Sequence, residues 1–255
     1  MIDVQSLTPA ERLLWNYGFR KPEHIDLEGI ALARGASVIY RSLDGCAARL
    51  LTDGEKAVIS IEKSDNRGRQ RFSLGHELAH WINDAKRSSF KCSSESIGPQ
   101  NSEAASVEAD ANVYASQLIL PDYMVAPWSQ GRLMTLNVAV ELAEAFKASV
   151  TASAIKLVKR SSGPACVVCH SQRGRRWFVR SRAWPLDLYL RSELHQDTAA
   201  FEIAFKATNR MSTPHKEEAK WWMSGRDVFR MMVQSQSMKL ADETVLTMLA
   251  MAPAH

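Results

Sequence analysis

Residues 76–80 read His-Glu-Leu-Ala-His, two histidines four positions apart with a glutamate between them. On a helix that spacing puts His76 and His80 on one face, one turn apart. Two neutral imidazoles so placed can reach one Zn2+, and Glu77 can project toward a water as a general base must. The rival reading is a pair of ordinary histidines satisfied on an amphipathic helix. The helix the spacing predicts over 70–83, with Phe72, Leu78, Ala79 and Ile82 as its apolar stripe, favours the metal. A catalytic zinc needs a third protein ligand and a fourth, open position for water. The longer motif that adds Gly at 83 and His at 86 is excluded by Asn83 and Lys86, and the next histidine is His170. That leaves a carboxylate from a later helix: Glu108 and Asp110 both fit, and Glu103, in the loop before that helix, is a weaker choice. Mn2+ or Fe2+ could also occupy two histidines and one carboxylate.

The elements that must position these residues are legible in outline. Thr8 can cap a helix over 9–20, and a second helix over 26–34 ends at Gly35. Ser37–Tyr40 and Ala57–Ile61 are short β-prone runs with turn residues between them, notably Asp53-Gly54. Residues 86–106 are a serine-rich polar stretch, expected to be a long loop or lid. Helix returns at 106–120 and stops at Pro121, and two more helices are expected over 137–147 and 151–160. Ser161-Ser162-Gly163-Pro164 reads as a linker, after which 165–169, 177–179 and 228–233 have a β texture. The expected fold class is α+β.

Composition narrows the function classes. The chain has 255 residues, enough for one large domain or two smaller ones. Nine prolines and 12 glycines exclude collagen-like and low-complexity chains, and four cysteines are too few for a disulfide framework. No apolar run is long enough for a membrane span and no secretory signal is evident, so a cytoplasmic protein with reduced thiols is expected. The net charge of +4 hides a split: residues 1–125 carry −3 and residues 126–255 carry +7. The basic part could meet nucleic acid or an acidic protein surface, or be a solvated face.

Three further signals have competing readings. Cys166-Val-Val-Cys169-His170 matches the haem-attachment pattern, but the segment reads better as a buried strand. Arg173, Arg175 and Arg176, followed by Trp177, Phe178, Arg180 and Arg182, suit phosphate contacts and base stacking, or an arginine-lined sheet edge. Trp221-Trp222-Met223 and Met231-Met232 read as core or interface packing.

The stretch Arg71-Phe72-Ser73-Leu74-Gly75-His76-Glu77-Leu78-Ala79-His80 resembles the R-F-x-x-x-H-E-x-x-H segment of the ImmA/IrrE family of bacterial metallopeptidases. Residues 108–121, Glu-Ala-Asp-Ala-Asn-Val-Tyr-Ala-Ser-Gln-Leu-Ile-Leu-Pro, are similar to that family's second signature, and 138–160 to its next segment. The resemblance spans about residues 9–160, with Tyr114 where phenylalanine is common and a longer serine-rich loop before Glu108. It implies a zincin-like metallopeptidase domain over 1–125, with Zn2+ held by His76, His80 and Glu108 and with Glu77 as the catalytic base. Asn112, one turn beyond Glu108, would hydrogen-bond it, and Tyr114 is a weak candidate for oxyanion contact. The resemblance further implies a helical segment over 126–162, helix-turn-helix-like or simply completing the peptidase fold. A C-terminal α+β domain over 163–255, GAF-like in some members, would serve as sensor or partner-binding part. The implied activity is cleavage of a partner repressor of the Xre helix-turn-helix type, relieving repression in a stress or mobile-element response. The alternative is a toxin-like or DNA- and protein-binding regulator paired with an Xre-type antitoxin, its metal site structural or conditionally active.

Overall fold

A computed structural model describes residues 2–83, 90–93, 107–206 and 211–251. The chain is α+β and divides into two compact units: Met1–Gln130 with Leu142–Ser149, and Gly131–Glu141 with Val150–His255. The helices expected over 126–162 are therefore shared between the two units.

The first unit opens with α1 (Pro9–Asn16). The Thr8 hydroxyl accepts from the Glu11 N–H, the Glu11 carboxylate accepts from the Thr8 N–H, and Pro9 takes the first helical position. Such a cap contributes about 1 kcal/mol. Asp26 caps α2 (Leu27–Ala33), whose C-cap Arg34 is followed by Gly35. Gly35 has φ +81°, and a Cβ there would stand 2.7 Å from the Glu55 carbonyl oxygen, so only glycine fits.

The chain then forms β1 (Ala36–Arg41), β2 (Cys46–Asp53) and β3 (Lys56–Glu62), joined by β4 (Phe90–Ser93) in the order β1-β3-β2-β4. β1 and β3 are parallel, and the other pairs are antiparallel. The two expected strands are β1 and β3. β2 falls where only turn residues were expected, and Asp53-Gly54 closes its hairpin with β3. The sequence of β2, Cys-Ala-Ala-Arg-Leu-Leu-Thr-Asp, is poor in the β-branched residues that mark strands. Ala48, Leu50, Ile59 and Ile61 are buried in this sheet, and β2 and β3 pack on α3 (Arg67–Asn83), whose Leu74 and Leu78 are fully buried. α4 (Val107–Ile119) runs along α3, and Pro121 separates it from α5 (Asp122–Ser129). Apart from β4, the expected loop over 86–106 lies outside the described residues.

α6 (Leu136–Phe146) contributes its first half to the second unit and its last turns to the first. The second unit continues with α7 (Val150–Arg160), β5 (Ala165–Ser171), β6 (Gly174–Arg180), β7 (Tyr189–Leu190), α8 (Ala199–Phe205), β8 (His215–Glu218), β9 (Met223–Ser224), β10 (Met232–Lys239) and β11 (Val245–Met251). Five strands form an antiparallel sheet in the order β6-β5-β11-β10-β8, and β7 pairs with β9. Its core includes Trp184, Leu188, Ile203, Trp222, Val233 and Leu249. The run 228–233, expected to be extended throughout, is a 3-10 turn over Val228–Arg230 before β10 begins at Met232. Val228 is drawn into the core, and that burial overrides its strand propensity.

Candidate metal centre

α3 presents His76 and His80 on one face, both fully buried, with ring centroids 4.8 Å apart. α4 brings Glu108 to the same point from its first turn. The Nε2 atoms of the two histidines are 3.1 Å apart; Glu108 Oε2 lies 3.1 Å from His76 Nε2 and Oε1 3.5 Å from His80 Nε2. One ligand atom from each of the three lies within 4.8 Å of the others. Close approach of the helices makes this possible. A Cβ on Gly75 would stand 3.3 Å from the Ala115 Cβ, so glycine on α3 and alanine on α4 let the two backbones meet beside the site.

The donor set fits a cation. His76 Nδ1 lies 3.0 Å from the Asn112 side-chain oxygen, which can only accept, so Nδ1 carries the proton and Nε2 presents a lone pair. Burial, and then the His80 ring beside it, push the His76 pKa below the usual histidine range and keep that ring neutral. Lone pairs and a carboxylate converging at such distances repel unless a positive charge lies among them. Two imidazole nitrogens on one tetrahedral zinc stand roughly 3.3 Å apart, close to the spacing found here. Glu77 sits in the same helical turn and is fully buried.

The structure separates the other candidates. Asp110 is exposed on α4 and outside the cluster, while Glu103 lies outside the described residues. Asn112, expected to hydrogen-bond Glu108, lies with its side-chain oxygen 3.0 Å from His76 Nδ1, across the contact between α4 and α3. Tyr114 is buried, and its burial raises the phenol pKa. Cys166 and Cys169 are free, buried thiols in β5, three residues apart in an extended strand and so facing opposite sides. Burial pushes both thiols up. Arg175, read either as a phosphate contact or as part of an arginine-lined sheet edge, lies on the edge strand β6, directs its guanidinium to the carbonyls of Leu190 and Arg191 and stacks over Phe178. No helix among the described residues is long and apolar enough to cross a membrane.

A model of the IrrE N-terminal-like domain, the M78 peptidases, matches residues 31–158, a span that contains His76, Glu77, His80 and Glu108. No curated protein matches. Among solved structures, a Mycobacterium tuberculosis transcriptional regulator shares the fold with a TM-score of 0.62 at 16% identity, over 95% of this chain and 74% of its own.

Proposed function

The chain belongs to the IrrE N-terminal-like (M78 peptidase) family, and from that premise we propose that it is a zinc-dependent endopeptidase acting on a regulatory protein in the cytoplasm. The observation that carries this reading is the convergence of His76, His80 and Glu108 within 4.8 Å. These three would hold the ion. When bound, the metal supplies Lewis acidity to the scissile carbonyl and acidifies water.

The remaining work falls to the chain's own groups. Asn112 fixes the His76 tautomer and aims Nε2 at the site. Glu77 takes a proton from the attacking water as its oxygen bonds to the peptide carbonyl carbon. It returns that proton to the amide nitrogen as the C–N bond breaks, releasing a carboxylic acid and an amine. Burial of Glu77 and both histidines keeps bulk water from screening these steps. The substrate class is a helix-turn-helix repressor of the Xre type, which is what the family resemblance implies.

Replacement of Glu77 by glutamine keeps the shape and removes the base. The Glu77→Gln protein should bind one metal ion per chain by elemental analysis, while hydrolysis of an Xre-type repressor that co-purifies with the chain drops roughly 10²–10⁴-fold. Wild-type turnover by that variant would overturn the mechanism. A second reading, a regulator whose metal is structural, draws on the likeness to a protein described as a transcriptional regulator. It requires that the metal-loaded wild-type chain cleave nothing while stripping the metal lowers its melting temperature.

A further inference from the structure

A cavity of about 460 Å3 lies in the first unit beside the N-terminal half of α3. Its walls include Asp44 and Cys46, in the turn that leads into β2 and at that strand's start, and Glu62 at the end of β3. Its floor includes Arg69, Gln70 and Ser73 of α3. At 3.6 residues per turn, Arg69, Gln70, Ser73, His76, Glu77 and His80 all fall within about 60° of the Ser73 direction on the helix. The cavity and the candidate metal centre therefore share one continuous stripe of α3. Ser73 precedes His76 by about 4.5 Å along the axis, and Arg69 by roughly 10 Å. An extended peptide advances about 3.3–3.6 Å per residue, so the cavity stands one to three residues from a bond cleaved at His76.

Resting on the reading of that centre as a peptidase site, we infer that this cavity is the specificity subsite of the reaction and takes a lysine or arginine side chain of the substrate. Two carboxylates, Asp44 and Glu62, face it against one guanidinium, Arg69. Glu62 accepts the Leu43 backbone N–H with one oxygen, which fixes the carboxylate and leaves its other oxygen for a donor. The buried Ser73 and the half-buried Gln70 offer further polar groups at the floor, so a long side chain with several N–H donors matches the lining. The volume exceeds what a small apolar side chain fills, and the apolar part of the lining, Leu43 and Ala47, suits the methylene stem of a long basic side chain.

Cys46 supplies a probe that needs no catalysis. It is a free, half-buried thiol on the cavity wall, whereas Cys166 and Cys169 are buried. The experiment follows alkylation of Cys46 in the full chain by iodoacetamide, read by mass spectrometry of the Cys46 peptide. The reaction is run with an alanine pentapeptide carrying a central arginine, leucine or glutamate. The arginine peptide at about ten times its dissociation constant should slow alkylation roughly tenfold. The leucine and glutamate peptides should leave it unchanged, and the double variant Asp44→Asn/Glu62→Gln should lose the protection. Equal protection by all three peptides, protection by none, or protection that survives the double variant would overturn the inference. Protection without any peptide cleavage would uphold the subsite and count against the peptidase reading. Cleavage with no basic residue within three positions of the cut would overturn the subsite alone.

Discussion

Asn112 is the clearest single-residue lever on the candidate metal centre. Its side-chain oxygen accepts the hydrogen bond that His76 Nδ1–H donates, so its loss frees the ring to rotate or change tautomer without removing any ligand. Asn112→Ala should weaken metal binding by about 10–100-fold, measured by competition with a chelating dye. Asp110→Ala, on the exposed side of the same helix, should leave affinity unchanged; the reverse order of the two effects would displace Glu108 from the ligand set. The pair His76 and His80 with Glu77 was legible because all its members sit within one turn. The choice between Glu108 and Asp110 was not legible from spacing alone. Helix phase separates them: Glu108, Ala111, Asn112 and Ala115 share the face toward α3, with Ala111 and Ala115 buried, while Asp110 points away. The contact of Asn112 with His76 was not legible because local spacing reports neighbours on one helix, and His76 is on another.

The site depends on how closely two helices pack, which is a property of elements. Gly75 meets Ala115 where α3 and α4 approach, and there is no room for a larger side chain. Gly75→Leu should destabilise the first unit by roughly 1–3 kcal/mol through overpacking. Metal affinity should fall in the same variant, because Glu108 reaches the histidines only across that contact. A lower melting temperature with unchanged affinity would show that the ligands do not depend on this packing. Helices were the most legible elements: the expected spans agree with α2, α3, α4, α6 and α7 to within three residues at each end, since apolar periodicity and caps mark them. Strands were less so. β2 lacks the usual composition, and α8, seven residues opened by the Thr198 side chain, is too short to show a period. The cavity beside α3 was invisible in the sequence because its walls come from separate elements.

At the scale of the whole chain, the acidic first half and basic second half do not translate directly into a nucleic-acid surface. Arg175 spends its guanidinium on Leu190 and Arg191, and its N–H is bonded to the Ser192 carbonyl, so part of the positive charge holds a loop against β6. The sheet-edge reading of the arginine-rich run agrees with the place of β6 at the end of the strand order, whereas the loop carbonyls that Arg175 holds could not be read from it. Nor could the role of His170, which the Cys-x-x-Cys-His pattern had flagged for different chemistry. His170 is 2% exposed in β5, its ring 6.3 Å from that of Trp222, and its Nδ1 has no hydrogen-bond partner among the described residues. Burial, followed by the nearby Arg175 cation, pushes its pKa from 6.5 down to about 4. The unfolded chain therefore takes up this proton more readily than the folded one between those values. Stability is fully present above pH 6.5 and is lost as the pH falls toward 4, by roughly 3 kcal/mol from this group. Urea unfolding at pH 7.5 and 4.5, for the wild type and His170→Gln, isolates the contribution, because the carboxylates that also titrate are common to both proteins. The wild type should lose more stability than the variant between the two pH values. An identical loss in both would mean that His170 is protonated in the folded protein as easily as in the unfolded chain.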